Sequence, residues 1–246
     1  MKILEVIGIT KHFGRVTALN DISFTQFEGE ILGLIGPNGA GKTTLFKLIT
    51  GSLPYSTGDI RFQGKSIRGL KSHQIGGLGI SRTFQAAPPL TKMTVMENVM
   101  VGALFGKAES KRKGRATRRR AEQAIDFLGL FEKKHIPVEH LNVLERKRLE
   151  MAVAIATNPN LLLLDEVMAG LNPSELDEAA ELIKRIREAG VSILVIEHVM
   201  RAVAAVSDRI FALNHGEKII EGTPEVVLSD EKVIEAYLGK RYSRPQ

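Results

Sequence analysis

Apolar residues along this chain fall mostly into short unbroken runs and alternating stretches, punctuated by glycine. Ile31-Leu32-Gly33-Leu34-Ile35, Leu161-Leu162-Leu163-Leu164 and Val191-Ser192-Ile193-Leu194-Val195-Ile196 have the length and continuity of buried strands. Ile22-Ser23-Phe24-Thr25-Gln26-Phe27 alternates apolar and polar positions, as a half-buried strand does. Residues 2–9 and 21–27 are therefore predicted as short strands, with Glu28-Gly29-Glu30 turning the chain into the next one. Asp59–Phe62 and Lys65–Ile67 read as edge strands around Gln63-Gly64, and Gly79–Phe84 as a strand ending at Gln85. Ile210–Leu213 and Lys218–Ile220 predict a hairpin around His215-Gly216.

The period changes between Thr94 and about Thr157, where the pattern is helical and no strand is expected. Thr94-Val95-Met96-Glu97 has the spacing of a capping box. A second helix is predicted from about Arg115 to Leu128, stopping near Gly129. After the four leucines, Asn172 as N-cap, Pro173 in the first turn and Gly190 beyond the end delimit another helix. Two short helices finish the chain. The order describes an α/β fold interrupted by a helical insertion of about 70 residues.

Composition narrows the setting. The 246 residues are 43% hydrophobic and 25% charged, the balance of an ordinary globular protein. There is no cysteine, so disulfides and thiolate metal sites are excluded, in keeping with a reducing cytoplasm. The start, Met1-Lys2-Ile3-Leu4-Glu5, lacks the long apolar core of a signal peptide. No apolar run approaches the ~20 residues that cross a bilayer, so a membrane role is expected to pass through a partner. Between Lys107 and Arg120, eight basic residues face the single acid Glu109 and carry +7, leaving −1 for the rest of a chain of net charge +6. Such a run suits nucleic acid or anionic headgroups, or is simply a solvated face. The absence of interleaved aromatics weighs toward the last.

The chemistry concentrates where strands end. Gly36-Pro37-Asn38-Gly39-Ala40-Gly41-Lys42-Thr43-Thr44 follows one apolar run and opens onto Leu45-Phe46-Lys47-Leu48-Ile49, fitting the phosphate-binding loop G-x-x-x-x-G-K-[ST]. Its glycines let backbone N–H groups converge on an anion, and the helix N-terminus adds positive potential. Lys42 is expected at the β- and γ-phosphates of a nucleoside triphosphate, and Thr43 at Mg²⁺. Asp165, ending the leucine strand, is placed to share that Mg²⁺. Glu166 is a candidate base for a water attacking the γ-phosphate. His198, after the next strand, is a weaker candidate alone. Phe13 is either a ring that stacks on adenine or a core residue; spacing leaves both open.

In this order, the phosphate loop, Gln85, Asp165-Glu166 and His198 resemble the ATP-binding-cassette (ABC) ATPases over nearly the whole chain. Arg82-Thr83-Phe84-Gln85, Met93–Val99, Ala169-Gly170-Leu171-Asn172-Pro173, Ile196-Glu197-His198, Glu221-Gly222-Thr223-Pro224 and Ala236-Tyr237-Leu238-Gly239 are similar to the ATPase subunits of branched-chain amino acid importers and their urea and amide relatives. The resemblance implies a P-loop nucleotide-binding domain with a mainly parallel core sheet, an N-terminal antiparallel β subdomain and an inserted α-helical subdomain. Residues 1–85 and 159–246 would form the core and β subdomain, and 86–158 the helical one. It assigns Phe13 to adenine, Gln85 to Mg²⁺ and coupled movement, Glu166 to the catalytic base and His198 to the γ-phosphate. It further implies ATP and Mg²⁺ as ligands, a second ATPase subunit, two membrane permeases and, indirectly, a solute-binding protein. The location implied is the cytoplasmic face of the cell membrane, and nucleic acid is not expected.

One motif departs from the family. Where the signature Leu-Ser-Gly-Gly-Gln belongs, this chain has Leu141-Asn142-Val143-Leu144-Glu145. Asn142 retains the ability to cap a helix. Leu144 replaces a glycine that permits close approach, and Glu145 brings a carboxylate toward the partner subunit's nucleotide. Val167 also stands where proline is usual. The expectation is an asymmetric heterodimer in which the partner completes the site on this chain, while the nucleotide facing Leu141–Glu145 is hydrolysed slowly. A homodimer with a tolerated variant is the alternative. Two other function classes remain: a cassette ATPase acting on nucleic acid through residues 107–120, and a nucleotide-binding regulatory subunit with little turnover.

Overall fold

The computed structural model describes residues 1–83, 90–106, 114–197 and 199–238. Two sheets organise it. The first is antiparallel, in the order β2-β1-β4-β5, from β1 (Lys2–Phe13), β2 (Val16–Phe27), β4 (Thr57–Phe62) and β5 (Lys65–Ser66). The second, β10-β9-β3-β8-β7-β6, comprises β3 (Ile31–Ile35), β6 (Ile80–Arg82), β7 (Leu161–Asp165), β8 (Ser192–Ile196), β9 (Arg209–Asn214) and β10 (Glu217–Gly222). All its pairings are parallel except β9 with β10.

The unbroken apolar runs are explained by burial on both faces. Leu161, Leu163, Leu194 and Ile196 point into a core shared with the antiparallel sheet and helix α1 (Lys42–Ile49). Leu162, Leu164, Ile193 and Val195 point the other way, into a core shared with α3 (Val95–Leu104), α4 (Arg115–Phe127), α5 (Val143–Ala156) and α6 (Pro173–Glu188). The sheet is thus a partition between two hydrophobic cores.

The helix limits follow local chemistry. Thr94 caps α3, its hydroxyl accepting from Glu97 N–H at 3.2 Å while Glu97 accepts from Thr94 N–H at 2.8 Å. Asn172 and Glu175 do the same for α6 at 3.0 and 2.9 Å. Gly129 and Gly190, just past α4 and α6, sit at φ 69 and 92, where a side chain would be strained.

Several elements differ from the sequence-based expectation. Strands β1 and β2 run through residues 10–13 and 16–20, because shifts in register absorb the irregular positions and keep the pairing going. Phe13 consequently lies at the β1 end of a hairpin, and it is 47% exposed, not core. The helix α2 (Ser72–Leu78) was not anticipated, since Gly76-Gly77 lowers its propensity. The short α7 (Met200–Val206) was also missed, being too brief to show a period. Helices α8 (Pro224–Leu228) and α9 (Glu231–Leu238) are the expected C-terminal pair. No helix of the described residues is long and apolar enough to cross a membrane.

Candidate functional site

The carboxyl ends of β3 and β7 meet at one cleft, where ligands of parallel sheets bind. Its volume is about 200 Å³, and it is lined by Ala18, Asn38, Gly39, Ala40, Gly41, Lys42, Thr43, Thr44 and Glu166. Gly36 begins the loop at φ 152, and a Cβ there would come within 2.3 Å of the Leu213 carbonyl oxygen. Only glycine permits that approach. At the other end Gly41 (φ 105) lies so close to β2 that a Cβ would meet the Ala18 oxygen at 2.8 Å. The loop is therefore clamped between β9 and β2 before α1 begins.

The Lys42 side chain is buried and curls back over the loop, donating to the carbonyls of Gly36 at 2.5 Å and Pro37 at 3.0 Å. Burial pushes its ammonium pKa below the ordinary lysine value, and the carboxylates of Glu166 and Asp165 oppose that shift. Glu166 reaches the cleft because its backbone adopts φ 54, a left-handed conformation uncommon for glutamate. Two contacts hold that turn. Glu166 N–H donates to Ile196 O at 2.9 Å, and its own carbonyl accepts from Lys147 Nζ of α5 at 3.1 Å.

Asp165 lies behind the cleft wall, its side chain fully enclosed. One carboxylate oxygen pairs with the Arg82 guanidinium, while Oδ1 meets no hydrogen-bond donor among the described residues. The backbone N–H of Asp165 donates to the Thr83 hydroxyl at 3.0 Å. A buried carboxylate oxygen that meets no donor at a strand end has the chemistry a hard cation such as Mg²⁺ prefers. No group of three or more acidic or histidine side chains suited to a metal occurs among the described residues.

At the altered signature segment, Asn142 is the N-cap of α5, accepting from Glu145 N–H at 2.9 Å. Glu145 turns back to accept from Asn142 N–H at 3.1 Å and pairs with Lys133. Although partial burial would raise its pKa, hydrogen bonds from Lys133 and the Asn142 N–H hold the carboxyl below its ordinary value. Leu144 packs into the core and Val143 is exposed. Neither the leucine nor the glutamate carboxylate therefore projects freely from the helix start.

The family model described as ABC transporter matches residues 19–169, which contain the phosphate loop, the segment at the start of α5 and Asp165-Glu166.

The chain belongs to the ABC transporter family.

A second model, described as branched-chain amino acid ATP-binding cassette transporter, matches residues 217–243 of this ABC cassette. The high-affinity branched-chain amino acid transport ATP-binding protein BraF of Pseudomonas aeruginosa is 38% identical over 97% of this chain and 98% of its own length. LivG of Escherichia coli, described by the same function, is 38% identical with the same coverage. Among solved structures, a nucleotide-free ATP-binding cassette from an ABC transporter superposes with a TM-score of 0.90 at 31% identity, covering 98% of this chain and 100% of that one. The predicted α/β cassette fold is thus observed, and the ATPase class expected for the chain is that of its family.

Within this ABC cassette the structure brings Asn38–Thr44 and Glu166 to one cleft, with Gly36 and Pro37 at its base and Asp165 behind it. Phe13 is not among the lining residues; Lys11 Nζ stands 4.9 Å from the centre of its ring. Gln85, His198, the Ala86–Pro89 loop and residues 107–113 lie outside the described residues. Sequence reasoning passed over Arg82, Lys147, Glu197 and Tyr237. Arg82, Glu197 and Tyr237 stood inside strings noted for their family resemblance, but their partners are distant in sequence.

Proposed function

We propose that this chain is the ATP-hydrolysing subunit of an importer of branched-chain amino acids. The observation that carries the reading is the single cleft in which the Asn38–Thr44 loop, with its buried Lys42, faces Glu166. Backbone N–H groups of Gly39–Thr44 and the N-terminus of α1 cradle the phosphates, and Lys42 moves its ammonium from loop carbonyls to the β- and γ-phosphates. Phe13 lies against the adenine. Thr43, Asp165 and Gln85 would hold Mg²⁺, which when bound would offset the negative charge of the phosphates. Glu166 accepts the proton of the attacking water, and His198 contacts the γ-phosphate.

The subunit works at the cytoplasmic face of the membrane, bound to two permease subunits that receive solute from a binding protein. It pairs with a second ATPase subunit, and the Asn142–Glu145 segment faces that subunit's nucleotide. A heterodimer is favoured because Leu141–Glu145 departs from the usual signature, so that a partner carrying the usual residues would complete the site on this chain. The burial of Leu144 and the Lys133–Glu145 pair support a segment that still accepts phosphate beside its backbone.

The test is the Glu166→Gln variant in the assembled transporter. ATP binding should persist while hydrolysis and leucine, isoleucine and valine uptake fall on the order of 100-fold or more, as expected for loss of a general base. Full uptake by this variant would refute the catalytic assignment. Hydrolysis by the purified chain as fast as by the assembled pair would remove the case for a distinct partner.

A further inference from the structure

One contact reaches the phosphate loop from the last described helix. The backbone N–H of Gly36 donates to the phenol oxygen of Tyr237 at 2.6 Å, across 201 positions of sequence. The carbonyl of the same Gly36 accepts from Lys42 Nζ at 2.5 Å. A Cβ at Gly36 would collide with β9, so the loop has no side chain of its own to anchor its first residue. The Tyr237 ring packs with α9 against a small core containing Ile35, Val203 and Val233. That core ties the end of β3 to the C-terminal helix.

We propose that Tyr237 is a positioning residue for ATP binding, its hydroxyl holding Gly36 so that the loop presents Lys42 and its N–H groups in one geometry. The C-terminal helix is then part of the nucleotide site's support, through Tyr237. Burial raises the phenol pKa, opposed by the Gly36 N–H, so the hydroxyl stays neutral and available as an acceptor at physiological pH. Loss of that acceptor leaves a buried N–H unpaired at the loop's hinge, a cost concentrated where the phosphates are bound. The inference rests on the reading of residues 36–44 as the phosphate site.

The experiment uses the full-length chain and AMP-PNP with Mg²⁺, followed by steady-state hydrolysis in the assembled transporter. Tyr237→Phe keeps the ring and removes only the oxygen. It should raise the AMP-PNP Kd and the ATP KM roughly 3- to 10-fold, the scale of one hydrogen bond, while kcat changes less than about 2-fold. Val233→Ala loosens the same helix but keeps the hydroxyl; it should lower the melting temperature and leave Kd unchanged. An unaltered Kd in Tyr237→Phe, or an equal rise in Val233→Ala, would overturn the proposal. Lys42→Ala separates the two readings: if it binds AMP-PNP as tightly as the parent, the phosphate-site assignment fails rather than the role of Tyr237.

Discussion

Glu197 Oε1 accepts the backbone N–H of Met168 at 2.7 Å, joining the end of β8 to the turn that carries Glu166. Glu197 is fully buried, and Oε2 has no hydrogen-bond partner among the described residues. Its carboxyl is pushed up to about 7 from an ordinary 4.5, chiefly by burial, with the charges of Glu166 and Asp165 adding to the shift. The acid therefore sits behind the candidate base as a mostly protonated brace in weakly acidic solution.

Its titration sets a pH dependence of stability. The folded state binds this proton more tightly than the unfolded chain. The contribution is complete below pH 4.5 and is lost as pH rises through about 7. Urea unfolding should show the parent losing on the order of 1–3 kcal/mol relative to Glu197→Gln between pH 5 and 8. Parallel profiles for the two proteins would contradict the buried-acid description.

Arg82 and Asp165 form an ion pair with side-chain exposures of 16% and 0%. Removing one partner leaves the other charge enclosed. Arg82→Ala should therefore destabilise the fold by about 3–5 kcal/mol. Adding Asp165→Asn should recover part of that loss, with a coupling of about 1 kcal/mol or more in a double-mutant cycle. Simple additivity in denaturant unfolding would show that the pair does not interact energetically.

Helices α3 and α5 approach through Gly102, where a Cβ would stand 2.1 Å from the Val153 carbonyl oxygen. No rotamer change relieves a clash with backbone. Gly102→Ala should cost about 1–3 kcal/mol by forcing the helices apart, despite alanine's higher helix propensity. Chemical denaturation gives the sign directly, since propensity alone predicts stabilisation.

The Lys133–Glu145 pair has a functional consequence if Asn142–Glu145 faces the partner's nucleotide. Lys133 is 43% exposed, so its loss should move stability by less than about 1 kcal/mol. AMP-PNP binding at the partner's site in the assembled dimer should nevertheless weaken about 3- to 10-fold in Lys133→Ala, as roughly 1 kcal/mol of uncompensated repulsion acts on the γ-phosphate. Glu145→Gln in the same chain should restore it. Equal affinities for all three proteins would place this segment away from the phosphates.

Local chemistry determined much of this protein from the sequence. The caps at Thr94, Asn142 and Asn172 need only residues three apart, and all three form as capping boxes. The four leucines of β7 and the run in β8 specify strands buried on both faces, and the phosphate loop carries its own spacing, glycines and helix start. Tertiary structure alone decided the rest, because those relationships depend on residues far apart in the chain. Register shifts carried β1 and β2 past their expected ends. Packing made a helix of the glycine-containing Ser72–Leu78. Glu145 gained Lys133, twelve residues away, as a second partner beyond its own cap. Arg82 met Asp165 across 83 positions and Tyr237 met Gly36 across 201. Periodicity reports which face of an element is buried; which distant group satisfies a given N–H or carboxylate is decided only when the cores close.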